Sequence, residues 1–206
     1  MSAESPSSTT PIEVIVLNGA SSSGKTTLAA ALQDILEESW LVFGIDTLIS
    51  ALPLDLLEIH DDATIAARPR DHEVREGGIS FDADGAITVG VEFRRLEDAW
   101  LRGLSMVAAS GVRLILDEVF LDGGLSQGRV RQAFADRRVV WVGVTCDVVV
   151  AAQHERDRGD RVVGEVERQS TSVHDGVHYD LVVDTTSSPA FELARQIAEH
   201  VLAATA

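Results

Sequence analysis

Residues 19–26, Gly-Ala-Ser-Ser-Ser-Gly-Lys-Thr, match the pattern G-x-x-x-x-G-K-[ST] at every position. Phosphate oxygens need several N–H donors that converge on one point, and Gly19 and Gly24 let the backbone wrap closely because they carry no Cβ. Lys25 can reach the β- and γ-phosphates of a nucleotide, and the Thr26 hydroxyl can ligate Mg²⁺. The stretch therefore predicts a phosphate-binding loop that takes ATP and Mg²⁺, with Ala20, Ser21, Ser22 and Ser23 completing its backbone.

The residues on either side of this loop have the pattern that such a loop requires. Residues 12–18 (IEVIVLN) form a short apolar run rich in β-branched side chains, which predicts a buried strand. A helical pattern begins at Gly24 and places Leu28 and Leu32 on one face. The loop thus leaves a strand and opens a helix, whose N-terminus adds the positive end of its dipole. We include Thr27, in the first turn, among the cofactor-binding residues.

Further apolar runs predict four more buried strands, at residues 41–45, 113–119, 139–146 and 181–184. Helical segments separate these runs, and the last helix is expected to start at Ser188-Pro189 with proline in its first position. Near-continuous apolar strands that alternate with helices are typical of a parallel sheet covered on both faces. The sequence therefore predicts an α/β fold with a doubly wound sheet of five mainly parallel strands. We assign it to one domain, residues 12–206, that follows a disordered tail over residues 1–11.

The pattern between the second and third strands is less regular. Asp46 can cap a helix that runs towards Leu57. Residues 58–78 are polar, mixed in charge and without a clear period, which predicts a mobile loop. Residues 79–81 and 87–89 then alternate in polarity around an Asp-Ala-Asp-Gly sequence, which predicts a hairpin.

Polar residues follow three of the predicted strands, at the edge where doubly wound sheets bind ligands. Asp46 follows the second strand, Asp117 and Glu118 close the third, and Thr185 follows the fifth. Phosphoryl transfer to an alcohol benefits from a carboxylate that accepts the hydroxyl proton, and we choose Asp46 for this base, with helix capping as its alternative role. Asp117 ends a Walker-B-like run and is expected to hold Mg²⁺ through water, with Glu118 as the weaker alternative. We count Thr185 among the cofactor-binding residues.

The densest basic stretch is residues 154–161 (HERDRGDR). Arginines beside a glycine break are typical of a lid that closes over phosphates and neutralises developing charge. We therefore predict a lid around residues 154–172, in which Arg158 and Arg161 act on the phosphates. The alternative is a solvated helix face stabilised by ion pairs four residues apart.

Composition narrows the classes of partner and compartment. The 206 residues carry a net charge of −16, which argues against nucleic acid or an anionic membrane as the main partner. Cys146 is the single cysteine, so no disulfide can form within the chain, as expected in a reducing compartment. No apolar run has the length of a membrane span, and the N-terminus lacks the pattern of a signal peptide. We expect a cytoplasmic protein, and whether it forms a homo-oligomer stays open.

The chain resembles the chloramphenicol 3-O-phosphotransferase family in the stretches VLNGASSSGKTTL, WLVFGIDTLISALP, GGISFDADGAITVG, FRRLEDAW, LILDEVFL, VVWVGVTCD, RGDRV and YDLVVDTT. These stretches run from Val16 to Thr186. The resemblance implies an adenylate-kinase-like P-loop NTPase fold and ATP-dependent phosphorylation of the primary hydroxyl of chloramphenicol. It also implies that Asp46 is the catalytic base and that Arg158 and Arg161 match the two arginines of the family's RGDR stretch.

Three functional hypotheses follow from these patterns. The first is a kinase that phosphorylates a small-molecule hydroxyl, with chloramphenicol or a related amphenicol as acceptor and antibiotic resistance as one biological role. The second is a kinase for another hydroxylated metabolite, because residues 54–77 include an insertion relative to the family pattern, close to the expected acceptor pocket. The third is a non-catalytic nucleotide-binding switch, which would not need a carboxylate placed like Asp46. The sequence also lacks the N-K-x-D signature of guanine recognition.

Overall fold

The computed structural model describes residues 11–59, 76–82, 86–158 and 165–204. Its main sheet contains five parallel strands, which are β1 (Val14–Asn18), β2 (Trp40–Gly44), β6 (Arg113–Glu118), β7 (Val139–Thr145) and β8 (Leu181–Asp184). Across the sheet they have the order β2-β6-β1-β7-β8. Four strands lie within the runs that the sequence predicts, and β2 begins one residue before its run, at Trp40. The predicted doubly wound α/β sheet is therefore confirmed.

Helices cover both faces of this sheet because successive side chains of a strand point to opposite faces. Ile15 and Leu17 of β1 are fully buried against helices α1 (Lys25–Ile35) and α7 (Ala190–Ala203). Val14 and Val16 pack on the other face, against α3 (Val91–Ala109) and α4 (Gly124–Ala133). The central strand therefore contributes to two separate cores, as its near-continuous apolar sequence predicts.

The remaining helices lie near the carboxyl ends of the strands. They are α2 (Ile45–Ser50), α5 (Val148–Arg158) and α6 (Glu165–Ser172). The last helix, α7, begins one residue later than expected, because Pro189 is its N-cap residue rather than its first residue. None of the helices in the described ranges is long and apolar enough to cross a membrane.

A second, smaller sheet lies beside the main one. Its strands β3 (Leu57–Ile59), β4 (Ile79–Phe81) and β5 (Ile87–Val89) have the order β3-β4-β5. β4 and β5 pair antiparallel, which confirms the strands of the predicted hairpin, whose residues 83–85 lie outside the described ranges. Ile79 of this sheet packs with Leu48 and Phe93 in a third apolar cluster.

Two sequence-based predictions near α2 are wrong. The helix expected to run from Asp46 towards Leu57 ends at Ser50, because Pro53 is extended and is followed by a short 3-10 turn, Leu54–Leu56. Gly44 is the N-cap residue of α2, so Asp46 lies in the first turn and does not cap it.

The loop predicted over residues 58–78 also begins too early. Leu57–Ile59 is a strand that pairs in parallel with β4, and this pairing joins residues far apart in the chain, so no local period reveals it. Gly78 makes room for the contact, because a Cβ there would lie 2.1 Å from the Leu56 carbonyl oxygen. The predicted mobility of residues 60–75 falls on residues outside the described ranges, as does the tail over residues 1–10.

Candidate active site

The predicted phosphate-binding loop connects the carboxyl end of β1 to the start of α1. A Cβ on Gly19 would lie 2.2 Å from the Val144 carbonyl oxygen, so only glycine fits there without a shift of the backbone. Gly24 adopts a φ of 86°, a left-handed conformation that glycine reaches without steric cost. Both glycines of the motif are therefore needed for the path of the loop.

The loop presents buried polar groups that have no partner within the described part of the chain. The hydroxyl oxygens of Ser21, Ser22 and Ser23 are all buried and make no hydrogen bond there. Buried polar atoms in native proteins are normally hydrogen-bonded, so such a group of orphans suggests a ligand or water. The hydroxyls stand beside the N-terminus of α1, where the helix dipole favours an anion. These features fit a nucleotide's phosphates.

Lys25, Thr26 and Asp117 lie together at the start of α1. The buried Lys25 Nζ donates to the carbonyl oxygens of Gly19 (2.9 Å) and Ala20 (2.7 Å), and it lies 3.8 Å from Asp117 Oδ1. Thr26 Oγ1 donates a 2.8 Å hydrogen bond to Asp117 Oδ2. A hydroxyl and a carboxylate at this distance are oxygen ligands of the kind that Mg²⁺ prefers.

A cavity of about 380 Å³ extends from this loop towards the small sheet. One end is formed by the loop from Ser21 to Thr27, together with Asp117. The other end has a largely apolar wall, formed by Ile45, Ile49, Ile79, Phe81, Ile87, Phe93, Val119 and Leu121. Asp46, which is exposed, also lines this cavity. The structure therefore brings Asp46, Lys25, Thr26 and Asp117 to one cavity, with an apolar chamber beside them.

Two charged residues on α3 also line the cavity, and the sequence patterns did not single them out. Arg94 Nη1 donates to Glu97 Oε2 at 2.7 Å, and Arg94 Nη2 contacts Asp122 at 2.5 Å. Arg129 of α4 lies 3.3 Å from Glu97 and 3.1 Å from Asp122. The spacing of three residues between Arg94 and Glu97 would predict their ion pair, but not the cavity beside it.

Glu118 differs from its neighbour Asp117 in every respect that matters for a metal. Alternation along β6 puts the two side chains on opposite faces, so Asp117 lines the cavity and Glu118 does not. Burial raises the pKa of Glu118 well above its usual value, and the nearby carboxylates of Glu97, Asp117 and Asp46 raise it further. Both effects disfavour the charged form of Glu118, and its side chain lies on the face away from the cavity, so Glu118 is a poor alternative to Asp117 as a Mg²⁺ ligand.

The helices of the predicted lid reach the same cavity. His154 and Asp157 of α5 and Gln169 of α6 line it near the phosphate loop. Arg158 is the last residue of α5, and Arg161 lies outside the described ranges. Thr185 is not among the cavity-lining residues; its hydroxyl donates to the Ser23 carbonyl oxygen at 2.8 Å, which places it behind the loop.

A polar network behind the loop contains the single tyrosine of the chain. Asn18 Nδ2 donates to the Tyr179 hydroxyl at 2.6 Å, and His174 Nδ1 lies 2.7 Å from the same oxygen. Asn18 Oδ1 accepts the Phe120 N–H at 2.9 Å. The network thus links the ends of β1 and β6 to the segment before β8.

We predict that Tyr179 ionises at unusually high pH in the folded protein. Burial raises its pKa from 10.0 to about 12, because the phenolate loses solvation. A pKa raised in the folded state contributes stability below pH 10 that is lost as the pH rises towards 12. Since no other tyrosine is present, phenolate absorbance follows this group alone. A midpoint near 10 in the folded protein, equal to that in denaturant, would contradict the buried placement.

The chain matches a family model described as chloramphenicol phosphotransferase-like protein over residues 12–202. The chain belongs to this family. Two Mycobacterium tuberculosis proteins, from strains CDC 1551 and H37Rv, are each 33% identical to it over 191 residues. The alignment covers 91% of this chain and 81% of each relative. Both relatives are described provisionally as O-phosphotransferases.

Solved structures show the same fold at lower identity. An unliganded sugar kinase from Janibacter sp. HTCC2649 superposes with a TM-score of 0.61 at 18% identity, covering 94% of this chain and 95% of the other. Shikimate kinase from Acinetobacter baumannii, in complex with shikimate, gives a TM-score of 0.55 at 18% identity, covering 93% and 94%. The family and fold expected from the sequence are therefore confirmed: this is a P-loop kinase fold of the chloramphenicol phosphotransferase-like family.

Proposed function

We propose that this protein transfers the γ-phosphate of ATP to a hydroxyl group of a small neutral molecule, with chloramphenicol or a related amphenicol as the leading acceptor. One observation carries the proposal: a single cavity joins the phosphate-binding loop to Asp46 and an apolar chamber. A reaction between a nucleotide and a second molecule needs both sites in one enclosed space. Membership of the chloramphenicol phosphotransferase-like family supports the same reaction class.

On the donor side, we assign the phosphates to the loop of residues 19–27. Its backbone N–H groups and the start of α1 provide the donors, and Lys25 provides a positive charge that is already held against the loop carbonyls. Thr26 and Asp117 are the proposed Mg²⁺ ligands. Bound Mg²⁺ would offset phosphate charge, and it is usually held by one or two protein oxygens together with the phosphates.

On the acceptor side, we assign Asp46 as the base. Asp46 accepts the proton of the acceptor hydroxyl while the oxygen of that hydroxyl forms a bond to the γ-phosphorus. The bond from that phosphorus to the bridging oxygen of ADP breaks, so the products are a phosphate monoester and ADP. The first turn of α2 positions Asp46 at the cavity that the apolar wall and the phosphate loop also line.

We assign the lid arginines to the charge that develops on the transferring group. Arg158 ends α5, and His154 and Asp157 of the same helix line the cavity, so the first residues of the predicted lid border the site. Arg161 follows three residues later in the sequence. Guanidinium groups that reach the phosphates from such a lid would stabilise the transition state and exclude water.

The charges of the acceptor chamber favour neutral acceptors over anionic ones. Asp46 and Glu97 both bring carboxylates to the cavity. Arg94 brings a cation, but its guanidinium already pairs with Glu97 and Asp122. Acidic residues also outnumber cationic ones in the cavity lining, with Asp46, Glu97, Asp117 and Asp157 against Lys25 and Arg94. An anionic acceptor would therefore be repelled beside an apolar wall, at a cost of roughly 100-fold in binding affinity.

A panel of acceptors tests this proposal. We expect Mg-ATP and the full chain to convert neutral, largely apolar primary alcohols such as chloramphenicol to products heavier by one phosphoryl group. We expect kcat/KM for hydroxy acids of similar size to be lower by roughly 100-fold, because like charges repel in the chamber. Preference for the hydroxy acids would contradict the assignment of the acceptor class. Turnover of other neutral alcohols but not chloramphenicol would keep the kinase and replace its acceptor.

A further inference from the structure

Residues from three separate parts of the chain contact the backbone of the phosphate-binding loop through their side chains. Gln169 Oε1 of α6 accepts the Ser21 N–H at 2.7 Å. His154 Nδ1 of α5 lies 3.4 Å from the Ser22 carbonyl oxygen. The Thr185 hydroxyl, just after β8, donates to the Ser23 carbonyl oxygen at 2.8 Å. Three consecutive serines of the loop therefore each have a contact that comes from a distant part of the chain.

The middle serine has a conformation that needs such contacts. Ser22 has a φ of 56°, and no other non-glycine residue in the described ranges has a positive φ. An L-residue in this left-handed region is disfavoured by its Cβ, and it persists where surrounding contacts determine the backbone. The contacts to Ser21 and Ser23 lie directly on either side of it. They are therefore well placed to hold the loop in this shape.

Of these contacts, the one made by Gln169 is the shortest, and both of its residues are buried. Gln169 is only 5% exposed, and its partner Ser21 is 6% exposed. Buried Glu155 of α5 accepts the Val166 N–H of α6 at 3.2 Å, so the two helices are joined to each other as well as to the loop. Gln169 also lines the cavity on the side of the phosphate loop.

We propose that Gln169 is a positioning residue for the nucleotide phosphates: its side-chain oxygen holds the Ser21 N–H and keeps the loop in the shape that receives ATP. The inference rests on the proposed function, in which this loop binds ATP. A loop held in its binding shape before the ligand arrives spends less binding energy on ordering itself. Without the Gln169 oxygen, the Ser21 N–H is left buried without its acceptor, and the strained Ser22 loses one of its supports.

If Gln169 blocked phosphate binding instead of positioning the loop, its removal would change ATP affinity in the opposite direction. If Gln169 occupied a donor that the phosphates need, ATP would have to displace it, and removing the side-chain oxygen would tighten binding. As a positioning residue, its removal weakens binding. The sign of the change in ATP affinity therefore separates the two roles.

The test is ATP binding by calorimetry to the full-length Gln169→Met variant. Methionine has a similar length and flexibility but no carbonyl oxygen, so the substitution removes the hydrogen bond at nearly constant shape. We expect about tenfold weaker binding, the effect of losing one buried hydrogen bond, while the KM of the acceptor stays within about twofold. Gln169→Asn, whose oxygen is one methylene short, should weaken ATP binding as well, and it provides the same measurement if the methionine variant folds poorly.

Two controls separate positioning from a general loss of stability. Gln132→Met makes the same change on the exposed face of α4 and should leave ATP affinity unchanged. Val201→Ala truncates a buried side chain of α7 and should lower thermal stability without a tenfold loss of ATP affinity. An unchanged or tighter Kd for ATP in Gln169→Met would overturn the inference. So would an equal loss of ATP affinity in Val201→Ala. Wild-type protein that fails to bind ATP at all would overturn the proposed function itself, a distinguishable result.

Discussion

Replacing Lys25 with methionine should lower kcat by about 10³-fold, one of the two largest effects that we expect of a single substitution. Lys25 is 5% exposed, and its Nζ is held by two loop carbonyls within 4 Å of Asp117. Methionine keeps the length and the apolar stem but removes the charge that would offset the phosphates. Steady-state kinetics with Mg-ATP and a neutral alcohol measures the change.

A chemical experiment can check the same residue without a substitution. Lys25 is the only lysine of the chain, so an acylating reagent selective for lysine over the α-amino group modifies this side chain alone. We expect inactivation that Mg-ATP prevents.

The matched control for the Lys25→Met substitution is Arg195→Met, which removes an exposed charge from α7 and should leave kcat unchanged. Near-wild-type turnover by Lys25→Met would show that the loop does not work as assigned.

Replacing Asp46 with asparagine should lower kcat by about 10²- to 10⁴-fold while ATP binds within about twofold of its normal affinity. The amide has the same size but cannot take the proton of the acceptor hydroxyl. Because Asp46 is not the N-cap residue of α2, the substitution should not cost the stability that a lost helix cap would. Single-turnover kinetics, together with ATP binding by calorimetry, separates the chemical step from nucleotide affinity.

The matched control is Asp34→Asn, which makes the same change at an exposed position of α1. It should leave both kcat and ATP affinity unchanged. If Asp46→Asn transfers phosphate at a rate close to that of the wild type, Asp46 is not the base. If it loses ATP affinity instead, its role lies on the donor side of the cavity.

The parts of the fold that could be predicted are those whose signal is local. The five strands of the main sheet are short apolar runs, and the phosphate-binding loop is defined by residues within one stretch, Gly19 to Thr26. The parallel β3–β4 pair joins Leu57 to Ile79, and no pattern within either segment shows that they meet. The short α2 is an intermediate case, since Pro53 was visible in the sequence as a helix breaker.

The residues of the candidate site also fall into those that the sequence predicts and those that depend on tertiary packing. Asp46 and Asp117 could be predicted as site residues because each stands at the carboxyl end of a predicted strand, the edge where a parallel sheet binds its ligands. Alternation along β6 could also have chosen between Asp117 and Glu118, once one face of the strand was assigned. Gln169 could not be found, because its contact with Ser21 depends on how α6 packs over the loop. The ion pair between Arg94 of α3 and Asp122, in the segment before α4, depends on tertiary packing as well, so the sequence does not show it.

Transfer of the terminal phosphate is the central claim, and labelled ATP tests it most directly. The full chain is incubated with Mg²⁺, chloramphenicol and ATP that carries label only in its γ-phosphate, and the products are separated. Because the cavity joins the phosphate loop to Asp46 and the apolar chamber, we predict that the label appears in a phosphate monoester of the alcohol, with one ADP formed for each ester. Label that stays in ATP, or appears only as inorganic phosphate with every neutral alcohol tried, would contradict the claim.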